Sequence, residues 1–279
     1  MYIPDRRVDC ITFCQCEEGS CCSRIGKSNS LGKYLNKNSQ EISLIHRPVI
    51  RSILRRLIHI AFSVISDFRV IGKENIPAEG PLLVVGNHFN FVDPLAFIEM
   101  IPRTVEFLGG TEMPGAPRIV HWIPKMWGVY QVHRGSVSRE ALTKAEMILA
   151  RGGVLGIFPE AGSWAEVLRP ARPGAALLAV RSNAMILPVG LDGLPEILPL
   201  RLGKRPKVTI RVGQPFGPIR EDIRGRDGRR KLDEIGDLIM HKISELIPPE
   251  RRGCYSDDPQ LRAAAIAVAK YPWEGVMEK

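Results

Sequence analysis

The sequence predicts a single α/β domain, with a central mixed sheet flanked by helices and an amphipathic helix in front of it. Three observations predict it. Short apolar runs at residues 81–85, 154–158 and 186–189 are bounded by Gly, Pro or polar residues, the pattern of buried strands. Helical spacing alternates with these runs, most clearly at residues 138–151 and 228–247. The run at 81–85 passes through Gly86-Asn87-His88 into Asp93-Pro94, a strand, loop and helix start in succession.

Size and charge fit this reading. A chain of 279 residues that is 44% hydrophobic can bury a full core. The formal charge of +9 points to an anionic partner: nucleic acid, an anionic membrane surface or a phosphorylated substrate. Aromatics are only 6%, and neither a ribonucleoprotein pattern nor zinc-finger spacing occurs, so no nucleic acid partner is expected.

Along the chain, residues 1–44 are polar and rich in Cys and Ser, and they read as a disordered leader. Cys10, Cys14, Cys16, Cys21 and Cys22 crowd its first half without a CxxC pair or a His, which specifies a zinc site poorly. Gly26-Lys27-Ser28 lacks the upstream Gly of a phosphate-binding loop, since Cys21 stands there. Residues 45–250 lack Cys, as in a reducing compartment.

Residues 45–66 form the amphipathic segment. Ile50, Ile53, Leu54, Leu57, Ile58, Ala61, Val64 and Ile65 recur at helical spacing, with Arg51, Arg55, Arg56 and His59 on the other face. Such a helix either packs on the domain or lies in a lipid interface with its Arg side chains toward anionic head groups. No apolar run reaches the roughly 18–20 residues that span a bilayer. The expected location is therefore cytoplasmic, peripheral on the inner face of the cell membrane.

Residues 67–255 form the domain proper. After 68–71 and 81–85, strands are predicted at 105–108, 130–132, 154–158, 186–189 and 208–212. Asp93 and Pro94 suit a helix start, as N-cap and first residue, and Pro102 ends that helix. Further helices are predicted at 138–151, 175–180 and 228–247, the last with a stripe of Leu232, Ile235, Leu238, Ile239, Ile243 and Leu246. Residues 256–279 are read as a partly helical tail.

Four blocks carry chemistry. In the first, His88 and Asp93 stand five apart at a strand end. Imidazole, with an ordinary pKa near 6.5, removes a hydroxyl proton efficiently at neutral pH, and a carboxylate on its other nitrogen fixes the tautomer. Asp93 also reads as a simple helix cap. In the second block, Arg134 follows a strand, as a phosphate-gripping fork or as an ordinary exposed Arg. In the third, Phe158-Pro159-Glu160-Ala161-Gly162-Ser163 ends a strand with small residues whose N–H groups can approach an anion, or is a plain polar turn. The fourth, residues 186–190, floors an acyl pocket or is core. No G-x-S-x-G elbow occurs, so a serine hydrolase is a poor fit.

In this order and spacing the blocks resemble the glycerolipid acyltransferase family, typified by 1-acylglycerol-3-phosphate acyltransferases. Asn87, His88 and Asp93 match its N-H-x4-D motif; Gly128 and Arg134 match its G-x5-R block. Phe158, Pro159 and Glu160 match the start of F-P-E-G-T-R-S, and Leu187-Pro188-Val189 resembles V-P-V. The likeness runs from about residue 66 to 255. It implies an acyltransferase domain that moves a fatty acyl chain from a thioester donor, acyl-CoA or acyl carrier protein, to a lysophospholipid, giving a product such as phosphatidic acid in phospholipid biosynthesis. It implies no metal or redox cofactor. By this resemblance His88 is the general base and Asp93 its partner. Asn87, Arg134, Glu160, Ala161, Gly162 and Ser163 would bind substrate.

The chain departs from the pattern where Ala161, Gly162 and Ser163 replace Gly-Thr-Arg, and where Gly110 replaces a frequent Lys. Two phosphate-binding cations are thereby missing, and Arg169 and Arg172 are the expected substitutes if the chain after the third block folds back over the same mouth. Other acceptors (glycerol-3-phosphate, another lysolipid, a neutral alcohol) stay open, as does a non-catalytic membrane-binding homologue.

Overall fold

A computed structural model describes residues 47–109, 116–131, 139–198, 203 and 205–270. Among the described residues seven strands form one sheet: β1 (Asp67–Ile71), β2 (Leu82–Gly86), β3 (Val105–Gly109), β4 (Tyr130–Gln131), β5 (Val154–Ile157), β6 (Met185–Asp192) and β7 (Lys207–Val212). Their order is β1-β7-β6-β2-β5-β3-β4, with all pairs parallel except β6 with β7. The sheet is therefore mixed, and all the predicted strands lie in it. The helices are α1 (Arg47–Ile65), α2 (Asp93–Met100), α3 (Ile123–Trp127), α4 (Arg139–Ala150), α5 (Pro173–Arg181), α6 (Gly228–Ser244) and α7 (Pro259–Val268).

Both faces of the sheet are covered, which is why its central strands read as unbroken apolar runs. Side chains alternate across a strand. Leu82 and Val84 of β2 join a core with Leu54, Ile58 and Phe62 of α1, Phe97 and Met100 of α2, and Trp127 of α3. Leu83 and Val85 join the opposite core, with Leu149 of α4, Ala176 of α5 and Ile239 and Ile243 of α6. The block at residues 186–190 is buried in β6. Its Ile186, Leu187 and Val189 are core with no exposure, so it does not floor an open pocket.

The amphipathic helix differs from expectation in an instructive way. Its apolar residues form two neighbouring stripes. Leu54, Ile58 and Phe62 are buried against the domain, whereas Val49, Ile53, Leu57, Ile60 and Val64 face outward, each more than half exposed. Two of the arginines expected to reach head groups are spent on the fold. Arg51 forks onto Glu106 at 2.6 and 2.7 Å and donates to the Trp127 carbonyl at 2.8 Å. Arg55 donates to the carbonyls of Ile101, Pro102 and Arg103 just beyond the end of α2, where a cation suits the helix dipole. Arg56 remains exposed on the surface. Among the described residues no helix is long and apolar enough to cross a membrane.

Candidate active site

Parallel pairing sets β2 between β5 and β6, with Val85 opposite Ile157 and Gly86 opposite Val189. The loops after β2 and β5 therefore leave the sheet side by side at its carboxyl edge, where open α/β sheets carry their sites. The first and third blocks are those loops.

Asn87 anchors the first. It is fully buried, its Nδ2 donates to the Leu191 carbonyl at 2.9 Å, and its Oδ1 accepts from the Leu191 N–H at 2.7 Å. Expected among the substrate contacts, its amide instead stitches the loop to the end of β6 in this structure.

Asp93 does not cap α2. It is the first helical residue, without a side-chain cap bond into the helix. Its Oδ2 turns back and accepts from His88 Nδ1 at 2.9 Å and from the N–H groups of Phe89 at 2.7 Å and Asn90 at 2.8 Å. Its side chain is 1% exposed and that of His88 is 17%. The imidazole also stacks on Phe158, ring centroids 4.2 Å apart, and Phe158 stacks in turn on Phe97. With Nδ1 held by a carboxylate, Nε2 is the nitrogen left for proton transfer.

The third block turns back on itself. A tight turn closes with the Ala161 N–H on the Phe158 carbonyl, Ala161 adopting φ 62°, and the Arg172 N–H then bonds the Pro159 carbonyl at 2.8 Å. That left-handed φ suits the Gly of the family motif and is strained for Ala. Gly162 is buried beneath Trp164: a Cβ there would stand 2.5 Å from the ring. Ser163 is half-buried beside it.

Glu160 and Arg169, both expected among the substrate-binding residues, are engaged with each other. Their side chains are 0% and 1% exposed and pair with each other, Arg169 Nε donating to Glu160 Oε2 at 2.9 Å. The Arg169 N–H donates to the same oxygen, and the His88 N–H donates to Glu160 Oε1 at 2.9 Å. Arg169 Nη2 donates to the Gly162 carbonyl, and the guanidinium lies 3.7 Å from the centre of the Trp164 ring. Burial, the larger effect, pushes the Glu160 carboxyl from 4.5 up to about 7, against the pull of Arg169 and the two N–H donors. Burial likewise lowers Arg169, opposed by Glu160. Arg134, Gly110 and the Cys-rich stretch lie outside the described residues. Arg172 is half-buried at the start of α5.

Fold and site together define an α/β protein with a histidine–carboxylate pair at the carboxyl edge of a doubly covered sheet. Residues 67–192 match the family model described as Acyltransferase. A 1-acyl-sn-glycerol-3-phosphate acyltransferase of Borreliella burgdorferi is 31% identical over 125 residues, 44% of this chain and 50% of its own length. The protein of that name from Bacillus subtilis is 21% identical over 188 residues, 67% of this chain and 92% of its own. The crystal structure of the 1-acyl-sn-glycerophosphate (LPA) acyltransferase PlsC from Thermotoga maritima is similar in fold, with TM-score 0.51 and 21% identity over 78% of this chain and 86% of that one. Over residues 67–192 the chain is therefore similar to acyltransferases of the glycerolipid type. It spans about half the length of the Borreliella relative.

Proposed function

We propose that the protein transfers a fatty acyl chain from an acyl thioester to the free hydroxyl of a lysophospholipid, with 1-acylglycerol-3-phosphate as acceptor and phosphatidic acid as product. The observation that carries this reading is the His88–Asp93 pair, Nδ1 to Oδ2 at 2.9 Å, in a stretch that matches the Acyltransferase family model. His88 Nε2 takes the hydroxyl proton as the oxygen attacks the thioester carbonyl. The tetrahedral intermediate collapses by breaking the C–S bond, and the proton passes from the imidazolium to the leaving thiolate. Asp93 holds the imidazole and stabilises its cationic form. Ala161, Gly162, Ser163, Arg172 and Arg134 are proposed to surround the acceptor head group. The donor is acyl-CoA or acyl carrier protein, and no metal or redox cofactor is needed for these steps.

Because the acceptor is a lipid, the protein would work at a membrane surface. The outward stripe of Val49, Ile53, Leu57, Ile60 and Val64 on α1 supports attachment from one side, with the +9 net charge favouring an anionic leaflet. The test is an acceptor panel with both donors, read as lipid product from purified protein. Product with lysophosphatidic acid, absent in His88→Ala, is the expected result. Turnover unaffected by His88→Ala would overturn the mechanism.

A further inference from the structure

The Glu160–Arg169 pair is buried more deeply than a fold requires. Removing both charges from water is costly, and apolar replacements of such pairs are commonly as stable. What the pair does is visible in its contacts. Glu160 Oε1 accepts from the N–H of His88 at 2.9 Å, and Arg169 Nη2 lies 3.4 Å from the carbonyl of the same residue. One ion pair thus holds His88 by both polar groups of its main chain. The pair is itself held. Arg169 donates to the Gly162 carbonyl and lies under the Trp164 ring, and Trp164 Nε1 donates to the Val268 carbonyl at the end of α7, 3.0 Å away. Only a residue without Cβ at position 162 lets that ring lie so close. Charge-assisted bonds are the shorter and stiffer kind.

We propose that Arg169, roofed by Trp164 and locked to Glu160, is the positioning residue of the base: it fixes the main chain of His88 as Asp93 fixes its ring. This rests on the reading of His88 as general base. Ser163 leaves the motif without its arginine. The nearest buried guanidinium then serves the protein's own catalytic loop, and acceptor binding falls to other residues.

The test uses the full chain and two variants, Arg169→Lys and the double variant Glu160→Leu/Arg169→Met. Readouts are kcat and KM for each substrate, urea unfolding, and NMR titration of the His88 imidazole. Displacement of a catalytic group by about 1 Å can cost on the order of 100-fold in rate. Both variants are expected to lower kcat by about 10- to 100-fold with KM for donor and acceptor unchanged. The double variant should unfold at the wild-type urea concentration or above, and its His88 titration should shift, whether or not the substrate has been identified. Wild-type kcat and an unmoved His88 titration in the stable double variant would overturn the proposal. So would a raised acceptor KM at constant kcat, which would make Arg169 a substrate ligand. Wild-type protein inactive with every donor would instead sink the acyl-transfer reading, leaving the His88 titration to judge the positioning role.

Discussion

Asp93 begins α2 yet turns away from it, its Oδ2 accepting from His88 Nδ1 at 2.9 Å. A capping carboxylate would serve the helix; this one serves the loop before it. Asp93→Asn should therefore leave unfolding nearly as in wild type while lowering kcat steeply. The amide can present its N–H₂ to Nδ1, which traps the wrong tautomer, a defect worth about 10⁴ in a triad of the same logic. His88→Ala should cost on the order of 10²–10⁴. Steady-state kinetics beside circular dichroism checks both, and an active, native-like His88→Ala would contradict them.

Ala161 occupies a left-handed turn at φ 62°. A non-glycine residue there carries about 1–3 kcal/mol of strain, partly offset by the lower unfolded-state entropy of Ala, about 0.4–1 kcal/mol. Ala161→Gly should raise unfolding stability by up to about 2 kcal/mol. Urea midpoints measure this, and a drop in stability would mean the turn is not strained.

Much of this fold was legible because the sheet is covered on both faces. The central strands β2, β5 and β6 bury both sets of side chains, so each reads as an apolar run between breakers, whereas the edge strand β1 does not. The His88–Asp93 pair was legible because only four residues separate them. Three features had no local signal. The Glu160–Arg169 pair meets through the way residues 161–168 fold back, and nothing periodic marks it. Trp164 reaches α7 across more than a hundred residues. On a helical wheel the two apolar stripes of α1 are adjacent, so Leu54, Ile58 and Phe62 merge with Ile53, Leu57 and Ile60 into one broad face.

Those stripes separate two effects of mutation. Ile53→Asn, Leu57→Asn and Ile60→Asn remove only outward apolar surface. At about 1 kcal/mol each, part of the transfer energy of an aliphatic side chain, the triple variant should bind anionic vesicles roughly 100-fold more weakly and unfold as wild type does. Arg55→Glu should instead lose about 1–2 kcal/mol of stability by stripping donors from the carbonyls beyond α2. Vesicle co-sedimentation and urea unfolding distinguish the two. Unchanged binding by the triple variant would remove α1 from the membrane contact.

Glu160 links stability to pH. Its native pKa, raised by burial to about 7, lies above the ordinary 4.5. As pH rises the unfolded chain releases this proton first, so the native chain holds more protons between about 4.5 and 7. The contribution of this group is therefore greatest below 4.5, declines through that window by on the order of 3 kcal/mol, and is flat above it. Glu160→Gln removes the dependence. Unfolding free energies from pH 4.5 to 8 should show wild type losing stability relative to Glu160→Gln up to about pH 7. Parallel curves would mean Glu160 ionises as it does in the unfolded chain.

Acceptor charge is the remaining question, and the inward turn of Arg169 sharpens it. A phosphomonoester carries close to two negative charges at neutral pH. Position 163 supplies no cation, and Arg169 is spent on Glu160. Arg172 and Arg134 are the arginines proposed for the head-group site. Arg172 follows directly from the third block, its N–H on the Pro159 carbonyl, and Arg134 belongs to the second motif. Hydrogen bonds to charged groups contribute roughly 1.5–3 kcal/mol each, so loss of either arginine should raise the acceptor KM by about 10- to 100-fold and leave the donor KM alone. Arg172→Ala and Arg134→Ala, assayed with lysophosphatidic acid and with its dephosphorylated monoacylglycerol, give the answer. Wild type should prefer the phosphorylated acceptor, and each variant should lose most of that preference. If wild type acylated both equally well, the phosphate site would not exist, and the acceptor would have to be sought among neutral alcohols served by the same His88.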